Sequence, residues 1–162
     1  MHNIKTLQSQ FPNSGKVEWI SLRPIKKEIE IVQKIEVNTA EGIIGDHYKG
    51  RSGKRHITLI QAEHLLVVAH LLKLEKIEPA LLRRNLVVSG LNLLALKGQR
   101  FAIGSDIKSQ CILEGTGPCH PCSRMEDLLG KGGYNAMRGH GGITAMVIQD
   151  GNIEINDFIT VI

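Results

Sequence analysis

The feature that most constrains the fold is a series of short segments rich in Val, Ile and Thr, each bounded by Gly, Asn or Asp. Alternating or β-branched runs of this length are typical of strands, and their boundaries are typical of turns. The segments lie at residues 17–22, 29–37, 56–60, 85–88, 100–103, 107–113, 143–148 and 153–162. Strands at this spacing predict a mainly β domain that is closed, or nearly closed, into a β-barrel.

A few helices are expected to flank the barrel. Between Ala62 and Leu72, apolar residues recur at intervals of three and four, with Leu66 widening the apolar face. This pattern predicts an amphipathic helix packed against one side of the barrel. Pro79 stands at a favoured first helical position and predicts a short helical turn before the next strand.

The 162 residues, of which 42% are apolar and 22% charged, predict one soluble globular domain. Residues 1–15 lack periodicity, so we expect a flexible N-terminal arm followed by a single domain at 16–162. The longest apolar stretch, 65–74, is interrupted by His70 and Lys73, and the N-terminus lacks the apolar run of a signal peptide. We therefore expect no membrane partner and a cytoplasmic location.

Charge and cysteine content narrow the function. Twenty Lys and Arg against sixteen Asp and Glu give a net charge of +4, which favours anionic ligands. With few aromatic residues and no basic run interleaved with them, no nucleic-acid partner is expected. Three cysteines, an odd number, indicate a reducing compartment, with free thiols or metal ligands rather than disulfides.

The thiol segment, residues 119–122 (Cys-His-Pro-Cys), follows Gly-Thr-Gly-Pro and is the most unusual stretch of the chain. Ser123 and Glu126 match a capping box, which predicts that a helix begins directly after Cys122. Gly130 is expected to end it. The partial positive charge of a helix N-terminus stabilises a thiolate, so Cys122 is the candidate nucleophile or soft metal ligand.

Other interpretations of the thiols remain open. Cys119 and Cys122 could be inert loop residues, or half of a zinc site completed by a histidine, although no second C-x-x-C or H-x3-H pair exists. A thioredoxin-like exchange motif has the same spacing but follows a βαβ pattern, whereas strands precede this one. Cys111 alternates with other residues in a strand pattern and is expected in the core, with no functional role.

Further loops carry residues that suit an anionic ligand. Guanidinium groups and the amides of neighbouring glycines hold phosphate or carboxylate, and each basic loop lies at the edge of a predicted strand. Each could equally be a solvated turn, and the acid that follows Gly45 could simply cap its own backbone. We expect these loops and the thiol segment to share one mouth, with Arg23 outside it. The candidate binding residues are Asp46, Arg55, Arg84, Asn85, Arg138 and His140.

Six motifs, taken in order, resemble those of the MOSC domain, the C-terminal domain of molybdenum-cofactor sulfurase. They are Gly42-x-x-Gly45-Asp46, Arg55-His56-Ile57-Thr58-Leu59-Ile60, Arg84-Asn85-Leu86-x-Val88-x-Gly90, Phe101-x-Ile103-Gly104, Pro121-Cys122 and Gly151-x-Ile153-x-x-x-Asp157. The match spans residues 16–162. The resemblance implies a β-barrel with a few flanking helices, in agreement with the strand pattern.

The resemblance also implies the molybdenum cofactor, molybdopterin, as ligand. The metal-binding and catalytic thiol of the family maps onto Cys122, which follows Pro121. Arginines and loop amides would hold the phosphate and pterin, which assigns that role to Arg55, Arg84 and Arg138, with Asp46 in the same mouth. Cys119 is an additional thiol beside the ligand position.

Two activities are implied by the resemblance. One is reduction of small N-hydroxylated compounds, such as hydroxylaminopurines or amidoximes, with electrons from a separate donor protein. The other is a carrier role in cofactor maturation, in which a separate cysteine desulfurase supplies sulfur or the chain delivers cofactor. A non-catalytic anion-binding barrel is the third interpretation. No pyridoxal phosphate, flavin, haem or iron–sulfur cluster is expected in this chain.

Overall fold

The computed structural model describes residues 1–49 and 52–162. The strands are β1 (Gly15–Leu22), β2 (Glu30–Val32), β3 (Lys34–Asn38), β4 (Gly42–Ile43), β5 (Ile57–Gln61), β6 (Leu86–Ser89), β7 (Arg100–Ile103), β8 (Cys111–Pro118), β9 (Ile143–Gln149), β10 (Gly151–Glu154) and β11 (Phe158–Val161). The helices are α1 (Ile4–Gln8), α2 (Ala62–Leu71), α3 (Pro79–Leu82), α4 (Arg124–Leu129) and α5 (Gly133–Met137), with a 3₁₀ turn at Leu93–Leu96.

Seven strands close into a β-barrel, which confirms the predicted fold class. Their order is β11-β7-β8-β9-β5-β6-β1, and pairing of β1 with β11 closes the ring. Strands β5 and β6 are parallel, which requires a crossover, and α2 and α3 supply it. Strand β2 extends the barrel sheet beyond β1, while β10, β3 and β4 form a separate three-stranded sheet.

The barrel interior is filled by apolar side chains that alternate inward along the strands. Phe101, Leu59 and Ile20 are among the largest fully buried members of this core. Cys111 lies in the same cluster and is fully buried, as predicted. Burial raises the pKa of its thiol to about 12, so the group stays protonated and takes no part in the chemistry below.

A second apolar cluster lies beneath α2, where Val68 and Ala69 pack with Ile60 and Val87 on the outside of the barrel. The predicted helix therefore forms and packs on one side of the barrel. Leu66, however, is 62% exposed, so its assignment to the packed face was wrong. A ten-residue helix lying on two strands buries only a narrow stripe, and Leu66 is outside it.

Strand β8 differs most from its prediction. The strand expected at 107–113 begins only at Cys111 and runs to Pro118, and Ile107 is 78% exposed. Asp106 nucleates a turn that delays the strand, because its side-chain oxygen accepts from Lys108 N and its carbonyl accepts from Gln110 N. The shift brings β8 up to the thiol segment.

Two predicted strands are each divided. Residues 29–37 form β2 and β3 on either side of Gln33, and 153–162 form β10 and β11 on either side of a turn. Asn156 has φ 71° in that turn, and Glu154 N donates to Asp157 Oδ2 at 2.7 Å. Residues 1–15 contain α1, which has no buried residue. Across residues 1–49 and 52–162, no helix is long and apolar enough to cross a membrane.

Candidate functional site

A groove of about 460 Å³ opens where the loops before β5 and after β1 meet the thiol segment and the turn between α3 and β6. This cationic groove is lined by Arg23, Lys26, Lys27, His47, Tyr48, Arg55, Thr58, Leu82, Arg83, Arg84, Cys119, Cys122, Arg124 and Met125. Of the predicted site residues, Arg55, Arg84 and Cys122 meet here. Asp46 and Asn85 lie behind the lining residues, and Arg138 and His140 belong to other surroundings described below.

The two thiols differ in exposure. Cys122 is exposed, whereas Cys119 is only 7% exposed. Backbone contacts fix Cys119, because its N–H donates to the carbonyl of Gly142 at 2.8 Å. A Cβ on Gly141 would lie 2.2 Å from the Cys119 carbonyl oxygen, so only glycine permits this approach. A glycine loop thus supports the thiol segment from behind.

The helix after Cys122 forms, but its predicted capping box does not. Helix α4 begins at Arg124, and Ser123 has helical dihedral angles with no side-chain capping bond. Glu126 instead accepts from Gly132 N at 2.7 Å and Tyr134 N at 3.0 Å, ahead of and within α5. Gly130 ends α4 with φ 85°, as predicted. The following segment offers backbone donors that the four-residue motif does not reveal.

Arg84 is a buried cation held by backbone carbonyls. The residue is 8% exposed, and its guanidinium donates from Nε to Gly141 O at 2.9 Å and from Nη1 to Leu82 O at 2.7 Å. No carboxylate in the described ranges lies within ion-pair distance of it. A buried charge without a counter-ion is costly, so this group fits an anionic ligand.

Asn85, also predicted as a binding residue, joins three barrel strands. Its Oδ1 accepts from Thr58 N at 3.0 Å and from Thr58 Oγ1 at 2.9 Å, and its Nδ2 donates to Ser21 O at 3.3 Å. Ser21 Oγ also donates to Arg84 O at 2.9 Å. These bonds place Asn85 beneath the groove, where it anchors the backbone that presents Arg84.

Asp46 supports one wall of the groove. The residue is 5% exposed, and its carboxylate accepts from Arg23 N and Tyr48 N, each at 2.9 Å. Asp46 caps local backbone at Tyr48 N, as one interpretation of the sequence predicted, and it also lies 3.8 Å from the Arg23 guanidinium. Arg23, which was expected outside the shared mouth, lines the groove instead. Its buried Nε has no hydrogen-bond partner among the described residues.

Arg83 is presented to the groove by an unusual backbone conformation. At the end of α3 it has φ 57° and ψ 33°, the left-handed region that favours glycine. Burial, followed by the charges of Arg124 and Arg23, lowers the pKa of Arg83. Cationic side chains from three separate segments are therefore close enough to repel one another.

The charge balance of the groove follows from its lining. Lys26, Lys27 and five arginines contribute cationic side chains, and the described lining contains no carboxylate. A low-dielectric groove with one sign of charge concentrates counter-ions. This arrangement, with an exposed thiol, can bind an anionic ligand that also has a soft metal centre.

The basic loops do not share one mouth as expected. Arg138 lines a different cavity together with His120 and Pro121. His140 contacts α2, where its ring meets that of His64 edge to face with centroids 5.0 Å apart. The zinc alternative gains no support, because the described ranges hold no group of three or more His, Cys, Asp or Glu side chains suited to a metal ion.

The sequence profile of the MOSC domain matches residues 38–160. The chain belongs to the MOSC domain family. This assignment agrees with the closed barrel and confirms the family resemblance of the sequence motifs. The MOSC domain family is associated with binding of the molybdenum cofactor.

Solved structures share the MOSC fold of this chain. The YUAD protein from Bacillus subtilis matches with a TM-score of 0.80 and 22% identity, over 92% of this chain and 96% of its own. YiiM from Escherichia coli matches with a TM-score of 0.68 and 19% identity, over 93% of this chain and 70% of its own. YiiM from Geobacillus stearothermophilus matches with a TM-score of 0.67 and 15% identity, over 91% of this chain and 75% of its own. No curated protein matches the chain in sequence.

Proposed function

We propose that this MOSC chain binds the molybdenum cofactor in the cationic groove, with Cys122 as the molybdenum ligand. The observation that carries the proposal is an exposed thiol in a groove lined by seven cationic side chains and, among the described residues, no carboxylate. The family assignment supports the choice of this cofactor among anionic ligands.

The residues of the groove fit this group. The volume of the groove, about 460 Å³, is in the range of small-molecule binding sites. A phosphate or a dithiolene carries negative charge, which complements the buried guanidinium of Arg84 and the Nε of Arg23, which has no hydrogen-bond partner among the described residues. A thiolate is a soft ligand, as the metal requires. When bound, the cofactor supplies a metal that exchanges oxygen atoms and electrons with a substrate.

The chain's own residues bind the anionic groups of the cofactor and position the thiol. Arg84 and Arg55 are assigned to the anionic groups, and Arg83 with Arg124 adds charge next to the thiol. Asp46 holds Arg23 and Tyr48 in place through their backbone N–H groups. Cys119, packed against Gly142, fixes the start of the segment that carries Cys122. These hydrogen bonds hold the backbone of the groove in place before an anion binds.

With the cofactor bound, the proposed activity is reduction of a small N-hydroxylated compound, with electrons from a separate protein. A carrier of sulfur or cofactor is the second candidate. The exposure of Cys122 favours it, because an exposed thiol is accessible to a cysteine desulfurase.

Metal analysis tests the proposed site. The full chain purified from cells that make the cofactor should contain molybdenum and release pterin. Cys122→Ser should abolish molybdenum retention, whereas the matched control Cys119→Ser should retain most of it, because Cys119 is buried. Equal metal content in both variants would remove Cys122 from the site, and stoichiometric zinc in place of molybdenum would revive the zinc interpretation.

Turnover then separates the two activities. With reduced viologen as electron donor, the loaded protein should reduce an amidoxime or a hydroxylaminopurine. If no such compound is reduced and the protein transfers its cofactor to an apo-molybdoenzyme, the carrier function replaces the reductase. A persulfide on Cys122 after incubation with a desulfurase would assign the sulfur route.

A further inference from the structure

A second cavity is lined by other residues of the same thiol segment. Its volume is about 800 Å³, and its lining residues are His120, Pro121, Tyr134, Asn135, Arg138 and Gly139. We call it the α5 pocket, because Tyr134, Asn135 and the residues just after Met137 form one of its walls.

The thiol segment is shared by both cavities. The first and last residues of the segment, Cys119 and Cys122, line the cationic groove. The two residues between them in the sequence, His120 and Pro121, line the α5 pocket. Among the described residues, none lines both cavities. The α5 pocket is therefore a distinct site whose occupant would lie one residue from Cys122.

Charge in the α5 pocket is positive. Arg138 is exposed, and its guanidinium makes no ion pair or side-chain hydrogen bond with any described residue. Glu126, on the adjacent helix α4, is already engaged, since its two oxygens accept from Gly132 N and Tyr134 N. The planar fork of Arg138 is thus free for a carboxylate or phosphate.

The remaining lining residues favour a flat ligand. Tyr134 and His120 contribute two aromatic rings to the lining, and Asn135 contributes an amide that both donates and accepts. Glu126 fixes the backbone at Tyr134, so the tyrosine side of the pocket is built before any ligand arrives. Aromatic contact combined with one guanidinium selects for a ring that carries an anionic group.

We propose that the α5 pocket binds a planar aromatic anion, with its ring against Tyr134 and His120 and its carboxylate or phosphate on Arg138. Pro121 of the thiol segment adds an apolar residue to the lining. The site does not depend on the molybdenum cofactor, because none of its residues lines the cationic groove.

The proposal is tested by titrating the full chain with benzoate while the NMR chemical shifts of the His120 and Tyr134 rings are recorded. Benzoate should shift both rings saturably, and Arg138→Ala should weaken its binding by about tenfold or more, because a charge-assisted hydrogen-bond pair is lost. Neutral benzamide should bind weakly, and Arg138→Ala should not change its affinity. Tyr134→Ala should weaken the binding of both compounds.

Two controls make the outcome decisive. Lys108→Ala removes the same charge from an exposed side chain that lines neither cavity, so it should leave benzoate binding unchanged. Equal effects of Lys108→Ala and Arg138→Ala, or shifts confined to groove residues, would overturn the proposal. Cys122→Ser should leave benzoate binding intact, which separates failure of this site from failure of the cofactor site. Arg138 and Tyr134 are exposed, so both variants are expected to fold.

Discussion

Arg84 and Gly141 lie 57 residues apart and are joined by a hydrogen bond of 2.9 Å from the guanidinium Nε to the backbone carbonyl. The next residue, Gly142, accepts from Cys119 N at 2.8 Å. A cation of the groove and the segment that carries its thiol are therefore held by the same glycine loop. Binding an anion on Arg84 would act directly on the loop behind Cys119.

Arg84→Ala is expected to reduce both stability and anion binding. The change leaves the buried carbonyls of Gly141 and Leu82 without their donor, at a cost of about 1–3 kcal/mol each. The free energy of unfolding in urea measures the loss. Arg84→Lys should restore only part of it, because an ammonium lacks the planar fork that reaches both carbonyls.

Arg55→Ala is the matched control, since Arg55 is an exposed residue of the same groove with no ion pair to a described residue. It should weaken cofactor retention while leaving the urea midpoint unchanged. Equal stability losses in the two variants would contradict the structural role assigned to Arg84.

Arg83→Gly is expected to relieve strain in the backbone while weakening retention of the cofactor. A non-glycine residue at φ 57° costs about 1–2 kcal/mol, and glycine adopts this conformation without strain. Arg83→Gly should therefore be more stable than Arg83→Ala by about 1 kcal/mol, measured by thermal or urea unfolding. Both variants should retain less cofactor than wild type. Arg83→Ala and Arg83→Gly of equal stability would show that the backbone is unstrained at this position.

Gly142→Ala is expected to disrupt the support of the thiol segment. A Cβ at this position would lie 1.8 Å from the Leu59 carbonyl oxygen, and the residue has φ 82°. The backbones must move apart, so we expect a loss of about 3 kcal/mol or more and loss of molybdenum retention. Gly139→Ala has a similar φ, 79°, but its Cβ would meet nothing within 4 Å. It should cost only about 1 kcal/mol, the backbone strain alone.

Acid is expected to destabilise the barrel through His56. Val147 N donates to His56 Nδ1 at 2.9 Å, so this nitrogen is unprotonated in the fold, and burial lowers the pKa of His56. The unfolded chain takes up a proton near pH 6.5, its ordinary value, while the folded chain resists it. The stabilisation is therefore complete above about pH 6.5 and falls as the pH drops toward the lowered folded pKa.

His56→Asn separates this effect from other histidines. The Asn Oδ1 can replace Nδ1 as acceptor but does not titrate. Between pH 7.5 and 5.5, the free energy of unfolding should fall less in this variant than in wild type. Parallel pH profiles would assign the acid sensitivity to another group, of which His64 is the next candidate because burial and the charge of His140 lower its pKa.

Local pattern was sufficient for the elements whose interactions are local or periodic. The strands around Trp19, Leu59 and Phe101 and the buried position of Cys111 follow from the alternation of apolar side chains. Helix α2 follows from apolar residues at intervals of three and four. The start of β8 did not follow, because the Asp106 side chain accepts from Lys108 N and a turn replaces the first part of the predicted strand. The capping box did not follow either, because Glu126 accepts from Gly132 N and Tyr134 N instead.

The amino-acid sequence by itself determined a closed barrel and its family, and it pointed to the Cys122 thiol and the arginines of the basic loops as candidate site residues. Only the tertiary structure decided which cations reach that thiol. Arg23 lines the groove, where Asp46, 23 residues away, accepts its backbone N–H, whereas Arg138 lines the α5 pocket together with His120 and Pro121. Such sorting depends on long-range hydrogen bonds and on close backbone contacts that glycine permits, and neither leaves a periodic signal in the sequence.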